Sequence, residues 1–346
     1  MDSSIWEGRR AKATEVELAP NGDLLIMVGK GDDALDIKVS SIVLNLASGV
    51  SLAMLAPPKQ IVMPNANPKT VLEFCKILHH HTEDLEHCDA EQILDLVGIA
   101  DEWMCKKVFK PWIAQRMTKM NDQLRAATSD AFTMTAYGNL IQSETIPLVD
   151  IAATMGMEDL FWTATKASLL ARSPEWMPPS PGKLPRPEAA RYNRDIHEFL
   201  VKTRAQYLKQ FVKNIFDCLF EGFTHWEPTE TNRPGCSLQT ATRFVESLDN
   251  AGLTKPLTVR HQERSLLSSM LALQRLVRAN NWKRIVLEAP CTSHGNPCSY
   301  CSRDFTADMF AMIVNTIEDL PGVCHYCFFS TDRDPLVTKG PCSEHH

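Results

Sequence analysis

Two pairs of cysteines late in the chain, Cys298-x2-Cys301 and Cys324-x2-Cys327, have the spacing of zinc knuckles. A two-residue gap lets two thiolates converge on one ion, and two such pairs supply the four sulfurs of a closed tetrahedral site. Between them Met309, Met312, Ile313, Thr316 and Ile317 recur at helical spacing, so a helix is expected to bring the knuckles together. Outside the knuckles lie Cys291-x2-His294 and Cys342-x2-His345, which fit either a second site or two interleaved sites. The spacing leaves the pairing open. The chemistry expected of these eight residues is structural Zn2+ binding. A structural zinc contributes roughly 10–16 kcal/mol of apparent binding energy, against a domain stability of about 5–15 kcal/mol, so the segment is expected to depend on its metal.

A catalytic arrangement of the same residues has to be weighed. His225-Trp-Glu227 upstream of Pro297-Cys298-Ser-Tyr-Cys301 mimics the H-x-E…P-C-x-x-C pattern of zinc deaminases, in which the His and two Cys bind zinc and the Glu moves protons. Pro228 follows Glu227 at once, and two expected helices separate the halves. The second knuckle gives Cys298 and Cys301 a simpler closed site. His79-His80-His81 is expected to end a helix as a solvated cluster rather than a metal site, and Gly29-Lys-Gly31 reads as a hairpin turn. No G-x-S-x-G or H-E-x-x-H occurs, so the chain is expected not to be an enzyme.

Composition narrows the classes further. The chain has 346 residues, 44% of them hydrophobic, enough for more than one sizeable core. A formal net charge of −6 argues against a general polyanion binder. Asp304, Asp308, Glu318 and Asp319 beside the knuckles lower the alternative of a zinc-containing transcriptional regulator. Eleven cysteines, an odd number, together with residues 1–18 that are expected not to act as a secretory leader, point to thiols or metal sites in a reducing compartment. The expected location is cytoplasmic, nuclear or both, with no membrane anchor.

The elements that would position this chemistry begin near the N-terminus. Asp23-Leu-Leu-Ile-Met-Val-Gly29 reads as a strand, Lys30–Asp33 as a turn, and Leu35-Asp-Ile-Lys-Val39 as a half-buried strand. Ser40 is placed to cap a helix whose inner face would be Val43, Leu46, Ala47 and Val50. Gln60–Met63 is a third strand. Asn67 caps a helix with Pro68 at its first position and Val71, Phe74, Cys75 and Leu78 inside. Asp89 and Gln92 form a capping box ahead of Ile93, Leu96, Val97 and Ala100.

This run, with the closing ILDLVGIADEWMCKKVFKPW, resembles a BTB/POZ domain of the kind found in fungal proteins. The resemblance extends to the Cys/His-rich end, where Gly322-Val-Cys-His-Tyr-Cys327 is similar to the Gly-x-Cys-x2-Cys of some members and Cys236 falls where a cysteine is common. It implies an adaptor that binds protein partners, with a homodimer and a cullin-type ubiquitin-ligase scaffold among the candidates. Ser40 stands where members commonly carry histidine. The loop Ala56–Lys59, in the region that supplies much of the cullin docking surface, is short. Glu15-Val-Glu-Leu18 is the one candidate for a swapped N-terminal strand.

The expected architecture is α+β and mainly α. Residues 1–18 are read as a flexible tail, 19–118 as the BTB/POZ-like domain and 119–175 as a helical extension. Residues 176–187 form a Pro-rich linker, and 188–346 a helical domain ending in the zinc-binding segment 291–346. That last domain opens on a long helix from Glu188 to about Glu221, with Ile196, Phe199, Leu200, Tyr207, Phe211, Ile215 and Leu219 inside and Lys202, Arg204, Lys209 and Lys213 among the polar positions. A helix through Phe244, Val245 and Leu248, one near Arg264–Ala279, and a short strand at Lys283–Leu287 follow.

Overall fold

A computed structural model describes residues 13–48, 59–82, 88–129, 145, 147–171, 187–224, 242, 245–250, 266–278, 305–329 and 337–338. The chain is mainly helical with a small mixed sheet, an α+β arrangement. It divides into two compact units, residues 1–120, 147–157 and 180–190 in one, and 121–146, 158–179 and 191–346 in the other. Among the described residues no helix is long and apolar enough to cross a membrane.

The first unit is built on four strands in the order β1-β3-β2-β4. Strands β2 (Leu24–Val28) and β3 (Leu35–Val39) pair antiparallel, with Ile26 opposite Ile37. Alternation buries Leu24, Ile26 and Val28 of β2 with Ile37 and Val39 of β3, so one face of the hairpin is core. Gly29 takes φ +74°, and a Cβ there would strike the Pro68 ring, so both conformation and space require glycine at the turn. Strand β4 (Lys59–Met63) lies parallel to β2.

Strand β1 (Thr14–Glu17) pairs parallel with β3, so the last part of the expected tail is sheet. The outer edge of β3 accepts it: the Thr14 amide donates to Ala34 O at 3.0 Å, the Leu18 amide to Lys38 O at 3.0 Å, and Lys38 meets Glu17 at 2.7 Å.

Helix α1 (Ser41–Ala47) is rotated from its expected orientation. Ser41, Leu44 and Ser48 face inward, Val43 is only half-buried, and Leu46 points out at 83% exposure. Two serines set the rotation. The Asp23 carboxylate accepts from the Ser41 amide at 2.8 Å and its hydroxyl at 2.7 Å, and the Ser48 hydroxyl donates to Trp103 O at 2.6 Å. Ser40 holds the N-cap position but makes no capping bond with its side chain, since Asp23, just ahead of β2, does that work.

Helix α2 (Pro68–Leu78) starts as its sequence requires, the Asn67 side chain accepting from the Lys69 and Thr70 amides. Its C-terminus closes with His80 at φ 61°, the His80 amide donating to Ile77 O and the His81 amide to Lys76 O, a Schellman arrangement with histidine in the usual glycine place. The three histidines are therefore not a uniformly solvated cluster. His79 is half-buried, and both of its ring nitrogens are engaged.

Helix α3 (Ala90–Glu102) carries the full capping box of Asp89 and Gln92. Helix α4 (Lys106–Ser129) runs unbroken through residue 118, with Pro111 in its second turn. Phe74 stacks on Phe109 at 4.9 Å and meets Trp103 edge-on at 5.4 Å, the aromatic centre of this core. Helix α5 covers residues 147–155, and Lys110 donates to Gly156 O just beyond it.

The second unit is centred on helix α6 (Glu158–Ala171), buried on nearly every side. The sequence reading assigned it to an extension ahead of the Pro-rich linker, yet the elements against it come from far down the chain. Around it are helix α9 (Leu266–Arg278), strand β5 (Gly322–Val323) and helix α11 (His325–Phe329). Helix α10 (Phe305–Asp319) lies against α9, with Met309, Ile313 and Ile317 buried as their spacing foretold.

Helix α7 (Pro187–Thr224) matches the expected long helix, and α8 covers residues 245–250. Its stripe of Ile196, Leu200, Leu208, Phe211 and Ile215 is interrupted by Arg204, which is buried rather than solvated. Arg204 sits four residues from both Leu200 and Leu208, so the helical period carries it inward, and burial lowers its pKa.

Candidate metal-binding knuckle

Of the eight expected ligands, Cys324 and Cys327 lie within the described residues; Cys291, His294, Cys298, Cys301, Cys342 and His345 lie outside them. So do His225 and Glu227, Cys236, the linker at 176–186, the strand expected at Lys283–Leu287, and Ala56–Pro58 of the loop.

The local sequence builds the knuckle stepwise. Pro321 and Gly322 end the approach from α10, and Gly322-Val323 pairs antiparallel with β6 (Val337–Thr338). The next residue, Cys324, holds the N-cap place of α11, where its carbonyl accepts from the Phe328 amide at 3.0 Å. Cys327 follows one turn later. Residues three apart share a helix face, so the two thiols fall together in one buried cluster, Cys324 at 7% exposure and Cys327 at 1%.

This turn is fixed to α6 by three kinds of contact. The Val323 amide donates to the Thr165 hydroxyl at 3.0 Å, and that hydroxyl donates back into its own helix at Phe161 O, 2.8 Å away. Phe161 meets His325 edge-on at 5.3 Å and lies near Phe328 and Phe329, while Phe199 of α7 also reaches Phe328. Gly322 lies flat against Trp162: a Cβ there would come within 2.4–2.5 Å of the indole ring and the Trp162 carbonyl. Only a residue without a side chain permits that approach. The Lys166 ammonium lies 5.4 Å from the centre of the same Trp162 ring, and burial lowers its pKa against the opposing influence of Glu318.

Between the cysteines, Tyr326 faces outward, and its hydroxyl bonds to Glu158, which raises its pKa. The outward Tyr326 and inward Cys327 show how one short helical turn separates a wet side from a sulfur-bearing side. Two converging thiols supply half of a tetrahedral site. Among the described residues no group of three or more His, Cys, Asp or Glu is placed to hold a metal ion, so the remaining ligands would have to come from the residues outside that set. The cue for the α6 contact was present in the sequence as the run Phe161-Trp162, but nothing local says which distant segment such a run will meet.

Comparison with protein-family models, curated proteins and solved structures finds no match to this chain.

Proposed function

We propose that the chain is a non-catalytic interaction protein, an adaptor whose first unit is BTB/POZ-like and whose second unit is stabilised by structural zinc. The observation that carries the first half is the order of elements: an antiparallel β2–β3 hairpin, helix α1, strand β4 returning parallel to β2, then three helices. That is the order of strands and helices the resemblance implies, with helix α1 turned so that Leu46 faces outward.

The surface offered to a partner includes the outward side of α1, where Ile42 is 67% and Leu46 83% exposed. Apolar side chains this open on one short helix suit a protein partner better than solvent. A second copy of the chain or a cullin-type scaffold would be such a partner, and the cytoplasm or nucleus the setting. For the second half, the support is the paired burial of Cys324 and Cys327 on a turn held by α6.

The test is elemental analysis of the full-length protein purified without added chelator, beside the Cys324→Ser/Cys327→Ser variant. One or two zinc ions per chain, lost in the variant, are expected. A folded, metal-free wild-type chain would overturn the zinc assignment. Light scattering of wild type and Leu46→Asp addresses the first half separately: a dimer reduced to monomer supports self-association through α1.

A further inference from the structure

The geometry of the first unit points to a second device, independent of the adaptor and zinc readings: we propose that His79 is a proton-operated latch joining the C-terminal end of α2 to the N-terminal end of α1. The Ser40 amide donates to His79 Nε2 at 3.1 Å, and His79 Nδ1 lies 2.9 Å from Cys75 O. A backbone N–H can only donate, so Nε2 must present its lone pair. A carbonyl can only accept, so Nδ1 must carry the proton. Together the two bonds select the neutral Nδ1–H tautomer and exclude the cation. Protonation at Nε2 would set N–H against N–H, and the latch would open.

The latch matters because α1 depends on borrowed caps. Ser40 makes no side-chain capping bond, and the first two amides of this helix end are taken by His79 and by Asp23. Opening the His79 bond leaves the Ser40 amide without that acceptor and leaves Asp23 as the anchor at Ser41.

The charged groups around the ring do not rescue the cation. On its own turn stand His80 and His81, both of which oppose a further positive charge. From the β2 and α1 side comes Asp23, already engaged by both donors of Ser41. The nearby His81 Nε2 lies 3.2 Å from Leu18 O.

Burial is the largest influence on His79 and lowers its pKa from the ordinary 6.5; the bond to Cys75 O opposes this, and His81 and His80 add to it. With the folded value below the unfolded one, the latch's contribution is fully present above pH 6.5 and is lost as pH falls through the folded value.

The experiment is a nitrogen-15 NMR titration of the histidines in the full-length protein, with hydrogen exchange at the Ser40 amide. We expect the Nδ1–H tautomer at pH 8 and a His79 pKa below 6.5. Protection of the Ser40 amide should fall by up to about tenfold between pH 7.5 and 5.5, the factor set by one pH unit below the ordinary imidazole value. His79→Gln, whose side-chain oxygen can accept from the same amide without titrating, should abolish that pH dependence. An Nε2–H tautomer in the wild type, or an unchanged pH dependence in His79→Gln, would overturn the latch. The wild-type tautomer decides the matter even if the variant does not fold.

Discussion

Single side chains show where the physical constraints are sharpest. Cys75 is fully buried on α2, and burial pushes its thiol up to about 12. A thiolate is the reacting species, so Cys75 should resist alkylation by iodoacetamide at pH 8.5 in the folded chain and react on denaturation, as peptide mapping by mass spectrometry would read. The sign of its pH effect is opposite to that of His79. Its raised value favours the neutral thiol, so its contribution to stability is present below pH 9 and declines as pH rises above that value. Gly322 is the steric counterpart. Gly322→Ala would drive a methyl group into the Trp162 ring and backbone, and an overpacking cost of about 1–3 kcal/mol is expected in thermal unfolding. An unchanged Tm would mean that the β5–α6 contact yields without cost.

At the scale of elements, two polar anchors override apolar periodicity. Helix α1 has apolar residues on more than one side, and a reading by hydrophobicity turns Leu46 inward. The Asp23–Ser41 pair instead turns Ser41 and Leu44 inward and leaves Leu46 out. Removing one partner of a part-buried polar pair leaves the other desolvated. Ser41→Ala is therefore expected to destabilise the first unit by about 1–3 kcal/mol, measured by urea unfolding. An effect within a few tenths of a kcal/mol would show that Leu44 burial alone sets the rotation. Helix α6 makes a related point. Its near-complete burial identifies it as a central helix, whereas its own sequence looked like one member of a helical extension.

Across the whole molecule, two units with separate cores make a single unfolding transition an unsafe assumption. The zinc measurement therefore gains from a thermal scan of the same sample. Chelation should lower the transition of the unit containing Phe161 and Val323, because metal binding free energy is folding free energy for the segment that supplies the ligands. The transition of the unit containing Phe74, Trp103 and Phe109 should stay in place.

The sequence by itself determined the local starts and stops. Asn67 with Pro68, and Asp89 with Gln92, satisfy amides within three residues, so their caps were legible without any tertiary information. The alternation of β2 and the periods of α7 and α10 were legible for the same reason. The three-residue separation of Cys324 and Cys327 likewise places both on one turn and in one buried cluster by local geometry. Tertiary structure alone decided the rotation of α1, the pairing of β1 with β3, the burial of His79, and the meeting of α6 with β5. Each depends on a partner far away in sequence: Asp23 for Ser41, Ala34 and Lys38 for β1, Ser40 for His79, Thr165 for Val323. Local propensity carries no information about which distant donor will find which acceptor. That choice is made only when the cores close and every buried polar group must be satisfied.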